Sequence, residues 1–138
     1  MKTAHEKKGL DLLNERIAGF FENGGEFAKA CASTPFPFEI RPQQQAMALA
    51  VAEAMANSAH LAVEAGTGVG KTFAYLVPLI LSAVENDRRL AVSTHTINLQ
   101  EQLMFKDIPS CGKIWAWTSK PPCAKGVAII SACGGWRA

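Results

Sequence analysis

The sequence has little charge, no long hydrophobic run and no paired cysteine motif, and each absence excludes a class of protein. Charged residues make up 19% of the 138 residues, and a net charge of +2 does not by itself indicate nucleic-acid binding. No apolar run reaches the roughly 18 residues that a membrane span needs, and no hydrophobic export signal follows Met1. The four cysteines form no C-x-x-C pair, which favours reduced thiols. The sequence therefore predicts a cytoplasmic protein of one domain at most, with enough apolar residues (49%) for a core.

Hydrophobic spacing predicts two helices in the first part of the chain. Residues 7–22 carry apolar side chains at helical intervals, and Asn23-Gly24-Gly25 would end that helix. Pro42 is suited to the first turn of a second helix, which extends to about Ala56 with one apolar face.

The segment from Ala65 to Thr72, A-G-T-G-V-G-K-T, is typical of a phosphate-binding loop. Glycines let successive backbone N–H groups face one anion, and the following helix adds the positive end of its dipole. Lys71 would reach the β- and γ-phosphates, and the Thr72 hydroxyl would bind Mg²⁺, so these two are the candidate catalytic residues. The predicted nucleotide-binding residues of the loop are Ala65, Gly66, Thr67, Gly68, Val69, Gly70, Lys71 and Thr72. A glycine-rich surface turn is the alternative.

The flanks of this loop predict the order of a parallel α/β fold. An apolar strand at residues 60–64 would precede the loop, and a helix kinked at Pro78 would follow it. A second strand at residues 89–94 and a third helix, from Thr96 or Asn98 to about residue 106, complete the pattern. Strand, loop, helix, strand and helix in this order indicate a parallel sheet with right-handed crossovers.

Polar side chains on both sides of the loop are further candidates. One amide among Gln43, Gln44 and Gln45 could bind adenine through a donor and an acceptor, although three glutamines also suit a solvated helix start. Downstream, the hydroxyls of Thr94 and Thr96 could help to hold phosphates, or one of them could simply cap the third helix.

Three motifs occur in order along the chain. They are F-E-x-R-P-x-Q-x-x-M, L-A-V-E-A-G-T-G-V-G-K-T and V-S-T-H-T-x-x-L-Q-x-Q-L, the last followed by K-D-I-P. In this order they resemble those of the DinG family. Members of this family are superfamily-2 DNA helicases related to the XPD-type iron–sulfur helicases, and the likeness covers about residues 20–109. The resemblance implies a RecA-like P-loop domain that binds ATP and Mg²⁺ and serves 5′→3′ unwinding of DNA. It places Gln44 on the nucleotide-reading glutamine, with Arg41 beside it, and it accommodates Ala65. It implies that single-stranded DNA is bound by Thr94, His95, Thr96 and Gln100.

Several elements of that family are missing from the sequence. There is no D-E-A-H element, and we recognise neither a second RecA-like domain nor its arginine finger, whose loss typically lowers the rate by about 10³–10⁵-fold. The full-length family holds a [4Fe–4S] cluster, but Cys111, Cys123 and Cys133 have the wrong spacing for its ligands. We therefore expect ATP binding without hydrolysis or unwinding. A non-catalytic nucleotide- or DNA-binding module and another small P-loop NTPase are the alternatives.

The residues after Ser110 differ in character from the rest of the chain. They contain all three tryptophans and three of the four cysteines, but no acidic residue. Back-translation of this tail in a frame one base earlier permits a string with the segment G-R-G-N-Y-L-C, which resembles the continuation of the DinG family. The sequence thus predicts a helical lead-in (1–34), the first part of the helicase domain (35–110) and an irregular, out-of-frame tail (111–138).

Overall fold

The structure, a computed structural model, describes residues 4–32, 39–86, 90–115 and 127–131. The chain divides into two compact units, residues 1–81 and 82–138, and each is described by itself. No helix in the described ranges is long and apolar enough to cross a membrane.

The first unit is helical. Its helices are α1 (Ala4–Phe21), α2 (Glu26–Ala32), α3 (Pro42–Ala56) and the beginning of α4 (Lys71–Asn86). The predictions of α1, α3 and α4 are confirmed, whereas α2 was not predicted. Helix α4 continues through the buried Pro78, and the kink predicted there stays a prediction.

Four phenylalanines join α1 and α2 to the first turn of α4. Phe20 and Phe21 are buried on α1, and the ring of Phe27 on α2 lies 5.7 and 5.8 Å from theirs. Phe27 also contacts Phe73, with ring centroids 5.0 Å apart. Burial of each large apolar side chain stabilises the fold by about 1.5–3 kcal/mol, so this cluster fixes the helix that follows the glycine-rich loop.

The strand predicted at residues 60–64 is wrong. Residues 59–66 form neither helix nor strand, and Leu61 and Val63 are 45% and 44% exposed. A strand exists only where a neighbouring strand completes its hydrogen bonds, and the described residues offer this segment no such partner. The parallel sheet that was predicted around the loop is therefore not confirmed.

The second unit contains a two-stranded parallel sheet. Strand β1 (Leu90–Thr94) confirms the second predicted strand, and it pairs with β2 (Val127–Ser131) from Leu90 opposite Val127 to Thr94 opposite Ser131. The tail predicted to be irregular thus contributes a strand, because the run Val-Ala-Ile-Ile is rich in the β-branched residues that strands favour. The remaining residues of the tail beyond α6 lie outside the described residues.

The third predicted helix begins where expected but extends further. Helix α5 (Ile97–Gln102) leads through a π-helical turn (Leu103–Asp107) into α6 (Ile108–Trp115). Pro109 has no N–H to donate to the carbonyl four residues earlier, so a regular α-helical turn could not be completed at this point. The prediction that the third helix ends near residue 106 was wrong. Pro109 falls within the first turn of α6, where its missing N–H donor is tolerated.

Cys111 is buried on α6 close to Asp107. The pKa of its thiol is raised from 9.0 to about 12, mainly by burial and secondly by the nearby Asp107 carboxylate. The unfolded thiol ionises above pH 9 while the folded thiol stays neutral. The stabilisation from this neutral thiol is therefore complete below pH 9 and is lost as the pH rises from 9 to 12.

We expect iodoacetamide at pH 8 to modify Cys111 on the order of 100-fold more slowly in the folded protein than in urea, because only the thiolate reacts. The tryptic peptide of residues 107–113 contains no other cysteine, so mass spectrometry can follow Cys111 alone. Equal rates in the folded protein and in urea would contradict the burial of this thiol.

Candidate nucleotide-binding site

The glycine-rich loop turns sharply just before α4. Gly68 and Gly70 both have φ near +80°, a conformation that residues with a Cβ rarely adopt. Backbone turns of this kind direct successive N–H groups toward one side and form a concave site for an anion. The first residue of α4 is Lys71, so the helix dipole points its positive end at the same place.

Lys71 folds back over the loop. Its Nζ donates a hydrogen bond of 2.7 Å to the carbonyl oxygen of Ala65, the first residue of the loop. Thr72 lies half-buried in the first turn of α4, directly after this lysine. The structure therefore places the Lys71 ammonium on the loop backbone and Thr72 in the helical turn that follows the loop.

Gln44 packs directly against the loop. It is only 3% exposed, and its Nε2 donates a hydrogen bond of 2.9 Å to the carbonyl oxygen of Gly70. A Cβ at position 70 would displace the amide end of this side chain, and the φ of +80° favours glycine there in addition. The predicted base-reading glutamine thus contacts the loop itself, and its amide keeps a second N–H and an acceptor oxygen for a ligand.

Arg41 makes the second contact between α3 and the loop. It stands at the N-cap of α3 with extended backbone, and its Nη1 donates a hydrogen bond of 2.6 Å to the carbonyl oxygen of Gly68. The carboxylate of Glu39 pairs with Arg41 at 3.1 Å, a contact that sequence reasoning missed. The available signal was the i, i+2 spacing of opposite charges in an extended segment, which places both on one side.

The candidate DNA-binding residues of the second unit extend from the end of β1 into α5. Thr94 is buried and its hydroxyl donates to the carbonyl oxygen of Thr96 at 3.3 Å. The Thr96 hydroxyl accepts from the N–H of Leu99, which confirms the alternative of a helix cap. His95 and Thr96 are exposed and Gln100 is half-buried, so Thr94 is the buried member of the set.

No cluster of three or more histidine, cysteine or acidic side chains occurs within the described ranges. Cys123 and Cys133 lie outside those ranges. The residues that are described therefore give no support to an iron–sulfur site, and Thr72 is the metal-binding candidate of the loop.

Comparison with known proteins identifies the family. The model of the DEAD/DEAH box helicases matches residues 41–119, which include the loop, Arg41 and Gln44. Over 119 residues, 86% of this chain, the sequence is 38% identical to the ATP-dependent DNA helicase YoaA of Haemophilus influenzae. Over 56 residues it is 54% identical to the ATP-dependent helicase DinG of Mycobacterium tuberculosis, and over 55 residues 53% identical to DinG of Salmonella typhimurium.

These matches cover 17% of the length of YoaA and 8% of each DinG protein. They confirm the resemblance to DinG-type helicases that the three sequence motifs indicated, and the family implies a RecA-like P-loop fold. The chain belongs to the DEAD/DEAH box helicase family.

Proposed function

We propose that the chain binds ATP with Mg²⁺ at residues 65–72, as the nucleotide-binding part of an ATP-dependent DNA helicase. One observation carries this proposal: Gly68 and Gly70 adopt positive φ directly before α4, with the Lys71 ammonium folded onto the same loop. This combination presents backbone N–H groups, a helix N-terminus and a cation to a single anion.

The side chains of the site suit a triphosphate. Lys71 would exchange the neutral carbonyl of Ala65 for phosphate oxygens, because a charge-assisted hydrogen bond is stronger than one to a neutral acceptor. The Thr72 hydroxyl would bind Mg²⁺, which neutralises phosphate charge when bound. Gln44 would bind the base with the polar atoms that its contact with Gly70 leaves available.

Single-stranded DNA is the proposed second ligand, with unwinding in the 5′→3′ direction by the whole helicase. The names of the DNA helicase relatives support a nucleic-acid partner. His95 and Gln100 would make side-chain contacts with the strand, and Thr94 and Thr96 would shape the backbone between β1 and α5. A cytoplasmic location is part of the same proposal.

We further propose that this chain binds ATP without hydrolysing it. The sequence contains no D-E-A-H element to position Mg²⁺ and the attacking water. The out-of-frame origin of the tail remains a prediction, and the family match extends past Ser110 to residue 119. The coding DNA after codon 110 tests that origin: an early stop in the alternative frame, or no D-E-A-H further on, would exclude it.

Equilibrium binding of a fluorescent ATP analogue, with and without Mg²⁺, tests the nucleotide site. We expect binding that EDTA weakens and that ATP reverses at lower concentration than GTP, because Gln44 favours adenine. Phosphate release should stay at background with and without oligo(dT). Turnover stimulated by the oligonucleotide would contradict the proposed inactivity, and binding of DNA with no nucleotide would favour the alternative of a DNA-binding module.

A further inference from the structure

Glu39 is connected to the phosphate loop through Arg41. Its Oε2 accepts hydrogen bonds from Nε of Arg41 at 3.2 Å and from Nη2 at 3.1 Å. The remaining Nη1 of the same guanidinium donates to the carbonyl oxygen of Gly68 at 2.6 Å. One planar group therefore joins a carboxylate on one edge to the loop backbone on the other.

The start of α3 thus holds two alternate carbonyl groups of the loop. Arg41 binds the carbonyl of Gly68, and Gln44, three residues later, binds that of Gly70. Fixing these carbonyls also fixes the orientation of the peptide N–H groups that follow, those of Val69 and Lys71. A donor on a carbonyl oxygen polarises its peptide unit, which makes the attached N–H a better donor to an anion.

Glu39 decides where the Arg41 guanidinium is held. Without a carboxylate beside it, a guanidinium favours a charged acceptor such as phosphate over the neutral carbonyl of Gly68. We propose that Glu39 is a positioning residue, which keeps Arg41 on the Gly68 carbonyl and so sets the loop for a triphosphate before the ligand arrives. A preformed site lowers the ordering cost of binding. This inference rests on the proposed nucleotide site.

Exposure sets the size of the expected effect. The side chains of Glu39 and Arg41 are 70% and 41% exposed, so solvent and salt screen their attraction. Exposed ion pairs have small coupling energies, which correspond to roughly two- to five-fold changes in an equilibrium constant. We therefore expect modest effects that disappear at about 1 M salt.

The test has one readout without ligand and one with it. In the ligand-free protein at low salt, Glu39→Gln should lower the equilibrium constant of the Arg41–Gly68 hydrogen bond about two- to five-fold, which NMR detects as a shift of the Val69 amide resonance toward its position in Arg41→Gln. The dissociation constant of Mg-ATP should rise by a similar factor, with an unchanged melting temperature. In an Arg41→Gln background the substitution should have no further effect. Glu53→Gln is the matched control, since Glu53 is an exposed carboxylate on α3.

The outcomes separate this inference from the proposed function. An unchanged Val69 amide resonance overturns the role of Glu39, as does a shifted resonance with unchanged or tighter ATP binding. A fall in melting temperature that accounts for the weaker binding also overturns it, since Glu39 would then act only on the fold. A shifted Val69 amide resonance in a protein that binds no nucleotide supports the positioning of the loop by Glu39 and refutes the nucleotide site.

Discussion

Lys71→Ala is expected to weaken binding of Mg-ATP by about 10- to 100-fold, because it removes a charge-assisted hydrogen bond to the phosphates. The free energy of unfolding should change little, since the bond from Lys71 to Ala65 in the ligand-free protein is exposed. Titration of a fluorescent ATP analogue gives the affinity, and thermal denaturation followed by circular dichroism gives the stability.

Lys106→Ala is the matched control for this substitution. It removes the same charge from an exposed position in the π-helical turn. An equal loss of affinity in both variants would mean that overall charge, and not a placed ammonium group, attracts the nucleotide. Unimpaired binding by Lys71→Ala would contradict the assignment of the site.

Three glycine-to-alanine variants in the loop should differ in ATP affinity in a fixed order. At Gly66 an added Cβ meets no atom, so little loss is expected. Gly68 has φ +80° with open space around it, and the backbone strain of about 1–2 kcal/mol corresponds to a loss of roughly 5- to 30-fold. At Gly70 the same φ is combined with displacement of the Gln44 amide from the loop, so the loss should exceed that at Gly68 by about five-fold.

Comparison with a Gln44→Ala background separates the two causes at Gly70. There the added Cβ has room, so Gly70→Ala should cost only what Gly68→Ala costs, and the difference measures the displacement of the Gln44 amide. Equal losses for Gly66→Ala and Gly70→Ala would show that the loop binds nucleotide in a different conformation from the one described. The same titration of an ATP analogue measures every variant.

Features that depend on residues close together in the sequence could be predicted from it. Pro42 marked the beginning of α3, and the motif predicted Lys71 and Thr72, the first two residues of α4, as phosphate and Mg²⁺ ligands. The strand at residues 60–64 was predicted wrongly because an apolar run shows a tendency to pair but not whether a partner strand is present. Strand β2 was not predicted, because the unusual composition of the tail gives no information about a short strand within it.

Contacts between side chains that are far apart in the sequence could not be predicted in this way. Gln44 was assigned to the base, and only the structure shows its amide on the carbonyl of Gly70, 26 residues away along the chain. The role of Glu39 depends on the orientation of one guanidinium, which no spacing rule specifies. Resemblance to a family predicted most of the candidate site residues, and the structure gives the contacts of Arg41, Gln44 and Lys71 with the loop.

The absence of a paired strand at residues 60–64 changes how nucleotide affinity can be adjusted in this chain. In the part of the chain that is described, the turn at Gly68 and Gly70 is held by two side chains of α3 and not by a sheet. A sheet is held by many backbone hydrogen bonds, so a single substitution alters it little. The contacts made by the Arg41 and Gln44 side chains can each be removed by one substitution. A single substitution at Arg41 or Gln44 could therefore change how firmly the turn is held, without any change in the loop itself.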